Sequence, residues 1–197
     1  MVQSLRFWIT ATNIAKEEKD QTNKSVHILT KIGEIINTYD PYLDLPDSLS
    51  LLHYSLVNMD GSKERLIVWH GFFNIITRGA ITKEEIVSET SVWAAKEGQL
   101  TSDKSLKRDV DCLCRLYLKD NSIKDPEDVT QSPLGKLGLL STSSENSNIV
   151  MKNQLAYQTV GLTSLLYILL KYGEQHETDN VSVEEITLKA DLWGKLF

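Results

Sequence analysis

Two helical patterns placed end to end between residues 82 and 118 constrain the fold more than any other feature of the chain. Thr82-Lys83-Glu84-Glu85 has the spacing of a capping box, in which the threonine hydroxyl and the glutamate three residues on exchange hydrogen bonds with each other's backbone amides. The helix it opens is expected to reach about Lys96, with Ile86, Val87, Trp93 and Ala94 turned inward, and to stop at Glu97-Gly98-Gln99. Ser102-Asp103 then starts a second helix, whose inward stripe is Leu106, Val110, Leu113, Leu116 and Tyr117. A short glycine-containing turn is all that separates the two.

The rest of the chain reads mostly as helix. Leu5, Trp8, Ile9 and Thr12 form an amphipathic stripe in a first helix over Val2 to Ile14. Val26, Leu29, Ile32, Ile35 and Ile36 predict a second, ended by Asp40-Pro41, because proline cannot continue a helix. Asp47 or Ser48 is expected to cap a third over Leu49 to Val57, and Glu64 to Ile76 a buried helix closed by Arg78-Gly79. Asn121 to Ser132 is an acidic loop, Ser132-Pro133-Leu134-Gly135 a short helical turn, and Asn148 to Gln158 a candidate strand ribbon. Val160 to Tyr172 is a strong helix, followed by a short segment at Ser182 to Leu188. The fold class is therefore mainly α, with helix-turn-helix, winged-helix-like modules and at most a small β ribbon. Three parts are expected, residues 1–60, 61–140 and 141–197, which can also form one compact unit. Both ends read as cut within an element, since a helix begins at once after Met1 and the chain stops on Leu196-Phe197.

Composition narrows the function classes. The apolar runs fall short of the roughly 20 residues that span a bilayer, so no membrane partner is expected. Met1 to Trp8 lacks the layout of a signal peptide, which places the chain in the cytoplasm. The two cysteines, Cys112 and Cys114, point to different sides of a helix, and the four histidines His27, His53, His70 and His176 are scattered, so the spacing of a structural zinc site is absent. No metal and no cofactor are expected. Phosphate-binding glycine loops, nucleophile elbows and zinc-protease helices are missing as well. Trp8, Trp69, Trp93 and Trp193 lie on apolar faces and read as core.

The net charge of −6 runs against nucleic-acid binding, yet its distribution is uneven. Thr101, Ser102, Lys104, Ser105, Lys107 and Arg108 gather at the start of the second helix of the pair, where a helix-turn-helix presents side chains to double-stranded DNA. Hydroxyls, helix-start amides and cations suit phosphate, and an arginine fork suits a guanine edge. Asp40, Asp44 and Asp47 read as turn formers beside proline rather than as a magnesium site.

Several stretches together resemble the bacterial domain-of-unknown-function family four thousand and seven. They are Leu5-Arg6-Phe7-Trp8, Gly33 with Asp40-Pro41-Tyr42-Leu43, Leu51-Leu52-His53-Tyr54, Phe72-Phe73-Asn74, Ser105-Leu106-Lys107-Arg108-Asp109-Val110-Asp111-Cys112, and Ser132-Pro133-Leu134 with Leu137-Gly138-Leu139-Leu140. The likeness runs over nearly the whole chain. It implies a part in DNA phosphorothioation-linked modification or anti-phage defence, with other proteins of that system as partners. A DNA-binding component is the leading expectation, and a homodimer is its analogue among paired DNA readers. Two alternatives stand beside it: a magnesium- or manganese-dependent DNA nickase using carboxylates such as Asp40 or Asp109 with His53, and a protein-interaction scaffold that binds no DNA.

Overall fold

The computed structural model describes residues 2–58, 66–119, 131–155 and 157–197. Helix α1 spans Val2–Ala11 and is followed by a hairpin of β1, Ala15–Lys19, and β2, Ser25–Leu29, paired antiparallel from Ala15 opposite Leu29 to Lys19 opposite Ser25. This hairpin corrects the expected continuous helix over Val26 to Thr38. Asp20 makes the turn by accepting from the Thr22 and Lys24 amides, and Asn23 supplies the left-handed residue it needs at φ 61°. Helix periodicity survives only in α2, Lys31–Tyr39, which Thr30 caps by accepting from the Gly33 amide. A Cβ on Gly33 would collide with the Ile14 carbonyl oxygen, so the helix meets the hairpin there as bare backbone.

Helix α3, Pro46–Val57, starts earlier than expected, with proline in its first turn and no side-chain cap on Leu45. Asp47 is not that helix's cap. Its carboxylate instead accepts from the Ser164 amide at 2.7 Å, at the opening of a helix far along the chain. Helix α4, Ile67–His70, passes into a π-type turn, Gly71–Ile75, where the Ile76 amide reaches back to the Gly71 carbonyl. The expected straight helix is thus interrupted, and its first residues, Glu64 and Arg65, lie outside the described residues. The extra residue of the π turn leaves both Phe72 and Phe73 buried.

Strand β3, Ala80–Thr82, runs directly into α5, Lys83–Lys96, and a short turn leads to α6, Asp103–Tyr117. Most of the expected acidic loop, residues 120–130, lies outside the described residues. A 3-10 turn, Pro133–Leu137, capped by Ser132, leads to β4, Leu140–Thr142, and β5, Ile149–Lys152. The expected ribbon within Asn148 to Gln158 is corrected. Strand β5 is the centre of a three-stranded antiparallel sheet ordered β3, β5, β4, whose outer strands come from residues before and after the helix pair. The chain closes with α7, Tyr157–Val160, α8, Leu162–His176, α9, Val183–Leu188, and α10, Trp193–Leu196. Among the described residues the fold is mainly helical, with two small sheets.

One apolar core joins α3, α4, the π turn, α5, α6, the 3-10 turn, β5 and α8 to Leu192 and Leu196. Its polar bolt is His53 of α3, whose Nδ1 lies 2.7 Å from the Tyr117 hydroxyl and whose Nε2 lies 2.9 Å from the Leu196 carbonyl. A carbonyl only accepts, so Nε2 carries the proton and Nδ1 accepts from the tyrosine. A second clasp ties α3 to α8. Ser50 donates to the Val160 carbonyl at 2.6 Å, and Gly161, at φ 93°, brings its backbone so close that a Cβ there would collide with the Asp47 carboxylate. Among the described residues, no helix is long and apolar enough to cross a membrane.

Candidate nucleic-acid interface

The helix pair is built as its local sequence requires. Thr82 accepts from the Glu85 amide at 3.2 Å, and Glu85 accepts from the Thr82 amide at 2.9 Å. Backbone and hydroxyl donors from Thr82, with the Arg78 guanidinium, hold the Glu85 carboxyl down at about 2. Arg78 spreads its fork over both Glu85 and Glu89, fixing the approach to α5. Gly98, at φ 74°, ends that helix, and Ser102 caps α6 by accepting from the Ser105 amide at 3.2 Å. The inward face of α6 is Leu106, Val110, Leu113, Cys114 and Tyr117, all buried, with Leu116 half-buried.

The opposite face carries the expected binding residues. Ser102, Lys104, Ser105, Lys107 and Arg108 are exposed and Thr101 is half-buried. Their acidic neighbours on α6 are drawn elsewhere. Asp103 accepts from Ser91 of α5 at 3.4 Å, Asp111 pairs with Lys83 of α5 at 3.7 Å, and Asp109 is half-buried, its carboxyl raised by desolvation. Among the described residues, no carboxylate lies within 4.0 Å of Lys104, Lys107 or Arg108. Asp103 and Asp111 are thus turned toward α5, while the cations are turned to solvent.

The loop between β4 and β5, Ser143 to Asn148, reaches the same side. Asn148 donates to Glu84 Oε2 at 2.5 Å, and that bond, before the charges of Lys107 and Lys83, keeps the Glu84 carboxyl below its usual range. Glu84 therefore ties the loop to the start of α5 and feels the charge of Lys107. Sequence reasoning did not find this tie. Residues this far apart meet only through the pairing of β3 with β5.

The residues considered for metal chemistry do not assemble. Asp40 is buried and spends its carboxylate on the Asp44 and Leu45 amides at 2.8 and 3.0 Å, which is a turn. Asp44 pairs with Lys136 at 2.7 Å and Asp47 holds the start of α8. His53 lies sealed in the core, and its pKa falls to about 4 because burial penalises the charged ring. Among the described residues, no group of three histidines, cysteines or carboxylates is arranged to hold a metal. Cys112 and Cys114 are free thiols, and burial raises both. His70 stacks on Trp93 with ring centroids 5.3 Å apart, beside Asn74, which donates to Asp191 at 2.7 Å.

No curated protein matches the sequence. Among solved structures, the chain is similar to one described as a magnesium ion-bound SspB crystal structure, with a TM-score of 0.84 at 20% identity. It is also similar to another described as an SspB crystal structure, with a TM-score of 0.79 at 22% identity. All of this chain is covered in both comparisons, but it spans only 60% of the length of either neighbour. The agreement is one of fold. A family model matches residues 1–197 from end to end, and the chain belongs to the family described as Protein of unknown function (DUF4007).

Proposed function

We propose that residues 80–152 act as a winged-helix-like reader of double-stranded DNA within a DNA phosphorothioation-linked modification or defence system. The supporting connectivity is strand β3, helices α5 and α6, then the β4 and β5 hairpin, in a sheet ordered β3, β5, β4. A winged helix sets its first strand, its two helices and its wing in that order. In this reading α6 enters the major groove, with Thr101, Ser102 and Ser105 on phosphates, and Ser143 to Asn148 forms the wing. The observation that carries it is the set of three exposed cations, Lys104, Lys107 and Arg108, which pair with no carboxylate among the described residues of an otherwise acidic chain. A charge in solution that no carboxylate neutralises remains available to phosphate.

The link to phosphorothioation rests on the family and on the fold shared with the SspB structures. The nickase reading draws on the magnesium ion bound to one of those two neighbours. It stands second, because Asp40 closes a turn, His53 is sealed in the core, and no metal-holding group of three is found among the described residues. Fluorescence anisotropy with a labelled duplex over a range of salt concentrations tests the DNA reading. Each phosphate contact contributes about 0.9 to the slope of log affinity against log salt, so the triple variant K104A/K107A/R108A should flatten that slope by about 2 to 3. An unchanged slope and affinity in the folded triple variant would remove α6 as the DNA-facing element.

A further inference from the structure

A cavity of about 210 Å³ lies between the end of β5 and α10, and none of its described lining residues belongs to α6. Its walls include Thr77, Gly79, Lys152, Gln154, Gly194 and Lys195, together with apolar residues of the core edge. Among the described residues, two lysines line it and no aspartate or glutamate does. We propose that this cavity binds a phosphate-type anion, held between the Lys152 and Lys195 ammonium groups.

The placement of Lys152 carries the argument. Its ammonium donates to the Phe72 and Ile76 carbonyls, each at 2.5 Å, and lies 4.6 Å from the centre of the Phe72 ring. These contacts close the carbonyl end of the π turn and fix the amine in one position. An ammonium has three N–H bonds and two are spent there, leaving one for the cavity. A carbonyl-capping lysine needs no second cation beside it. Yet Lys195 of α10 is half-buried on the same wall, near enough that its charge adds to burial in lowering the Lys152 pKa to about 8. The acid that bears on Lys152, Glu89, is outside the cavity and is paired with Arg78. Two cations on one partly desolvated cleft that has no acidic side chain among the described residues repel each other, and an anion between them reverses the sign of that interaction. The volume is below the roughly 300 Å³ of pockets that hold drug-sized ligands, which suits a phosphate group with little of its carrier.

This inference is independent of the DNA reading, and its test removes α6 from the outcome. In the K104A/K107A/R108A background, isothermal titration calorimetry and thermal melts are run with inorganic phosphate and with adenosine monophosphate, adenosine serving as the phosphate-free control. Binding of phosphate with K195A weakened about tenfold, the worth of one charge-assisted contact, is the expected result. Tighter binding of adenosine monophosphate than of phosphate assigns a nucleotide source, and equal binding a free phosphate. Phosphate also stabilises folded proteins by exclusion from their surface, so the deciding quantity is the difference between the parent and K195A. A response of equal size in the two, or no heat of binding in either, overturns the proposal. Lys195 makes none of the capping contacts, so K195A gives the answer even where K152Q does not fold.

Discussion

Acidifying the solution should unfasten the buried imidazole of His53, and the size of the effect follows from its surroundings. The ring is fully enclosed by Phe73, Tyr117 and Phe197, donates to the Leu196 carbonyl and accepts from the Tyr117 hydroxyl. Burial denies solvent to the charged ring, which is why the folded pKa falls to about 4 from the ordinary 6.5, and a second proton would have to be placed on Nδ1, where the hydroxyl now donates. The sign follows from linkage. Between those two values the unfolded chain binds the proton that the folded one refuses, so this contribution is complete above pH 6.5 and is lost as pH falls toward 4. From a shift of that size the loss is about 2 kcal/mol by pH 5 and about 3 kcal/mol by pH 4. Urea unfolding of the chain and of H53Q, compared at each pH, isolates the contribution, because the carboxylates common to both cancel in the difference. H53Q should be less stable at neutral pH, and the gap should close by that amount on acidification. A gap that stays constant from pH 7 to pH 4.5 refutes the reasoning.

Other expectations follow from the same geometry. E84Q removes the acid whose charge bears on Lys107, and on the DNA reading it should raise duplex affinity at low salt by a few-fold, with the gain fading as salt is added; weaker binding in anisotropy would count against that coupling. G161A forces a side chain onto the Asp47 carboxylate at a left-handed φ and should cost about 1–3 kcal/mol in urea unfolding. T82A should cost about 1 kcal/mol by removing the α5 cap, readable in the same assay. D47N keeps one acceptor for the Ser164 amide but loses the charge, so it should destabilise less than D47A does.

What could be read from the sequence, and what could not, divides by range. The capping box at Thr82, the glycine stop at Gly98, the Ser102 cap and the stripe of α6 are local signals within one or two turns, and each element formed where its residues placed it. Exposure of the α6 cations was legible for the same reason, since the buried stripe dictates the opposite face. The β1 and β2 hairpin was missed because Val26, Leu29 and Ile32 satisfy a helical spacing by coincidence across the Thr30 boundary. Asp47 looked like a cap for its own helix, but a carboxylate there has two nearby amide choices, and tertiary packing presented the one at Ser164. Lys152 gave no sign at the end of Ile149-Val150-Met151, because its partners belong to the π turn, which periodicity did not foresee.

Thr82 belongs to two structures at once, as the last residue of β3, opposite Ile149, and as the cap of α5. No free residue intervenes to absorb a displacement, so a push on the hairpin is delivered to the first turn of the helix as through a welded joint. The β4 and β5 hairpin and α5 therefore respond as one solid piece, and anything that orders Ser143 to Asn148 also stiffens the platform on which α6 rests.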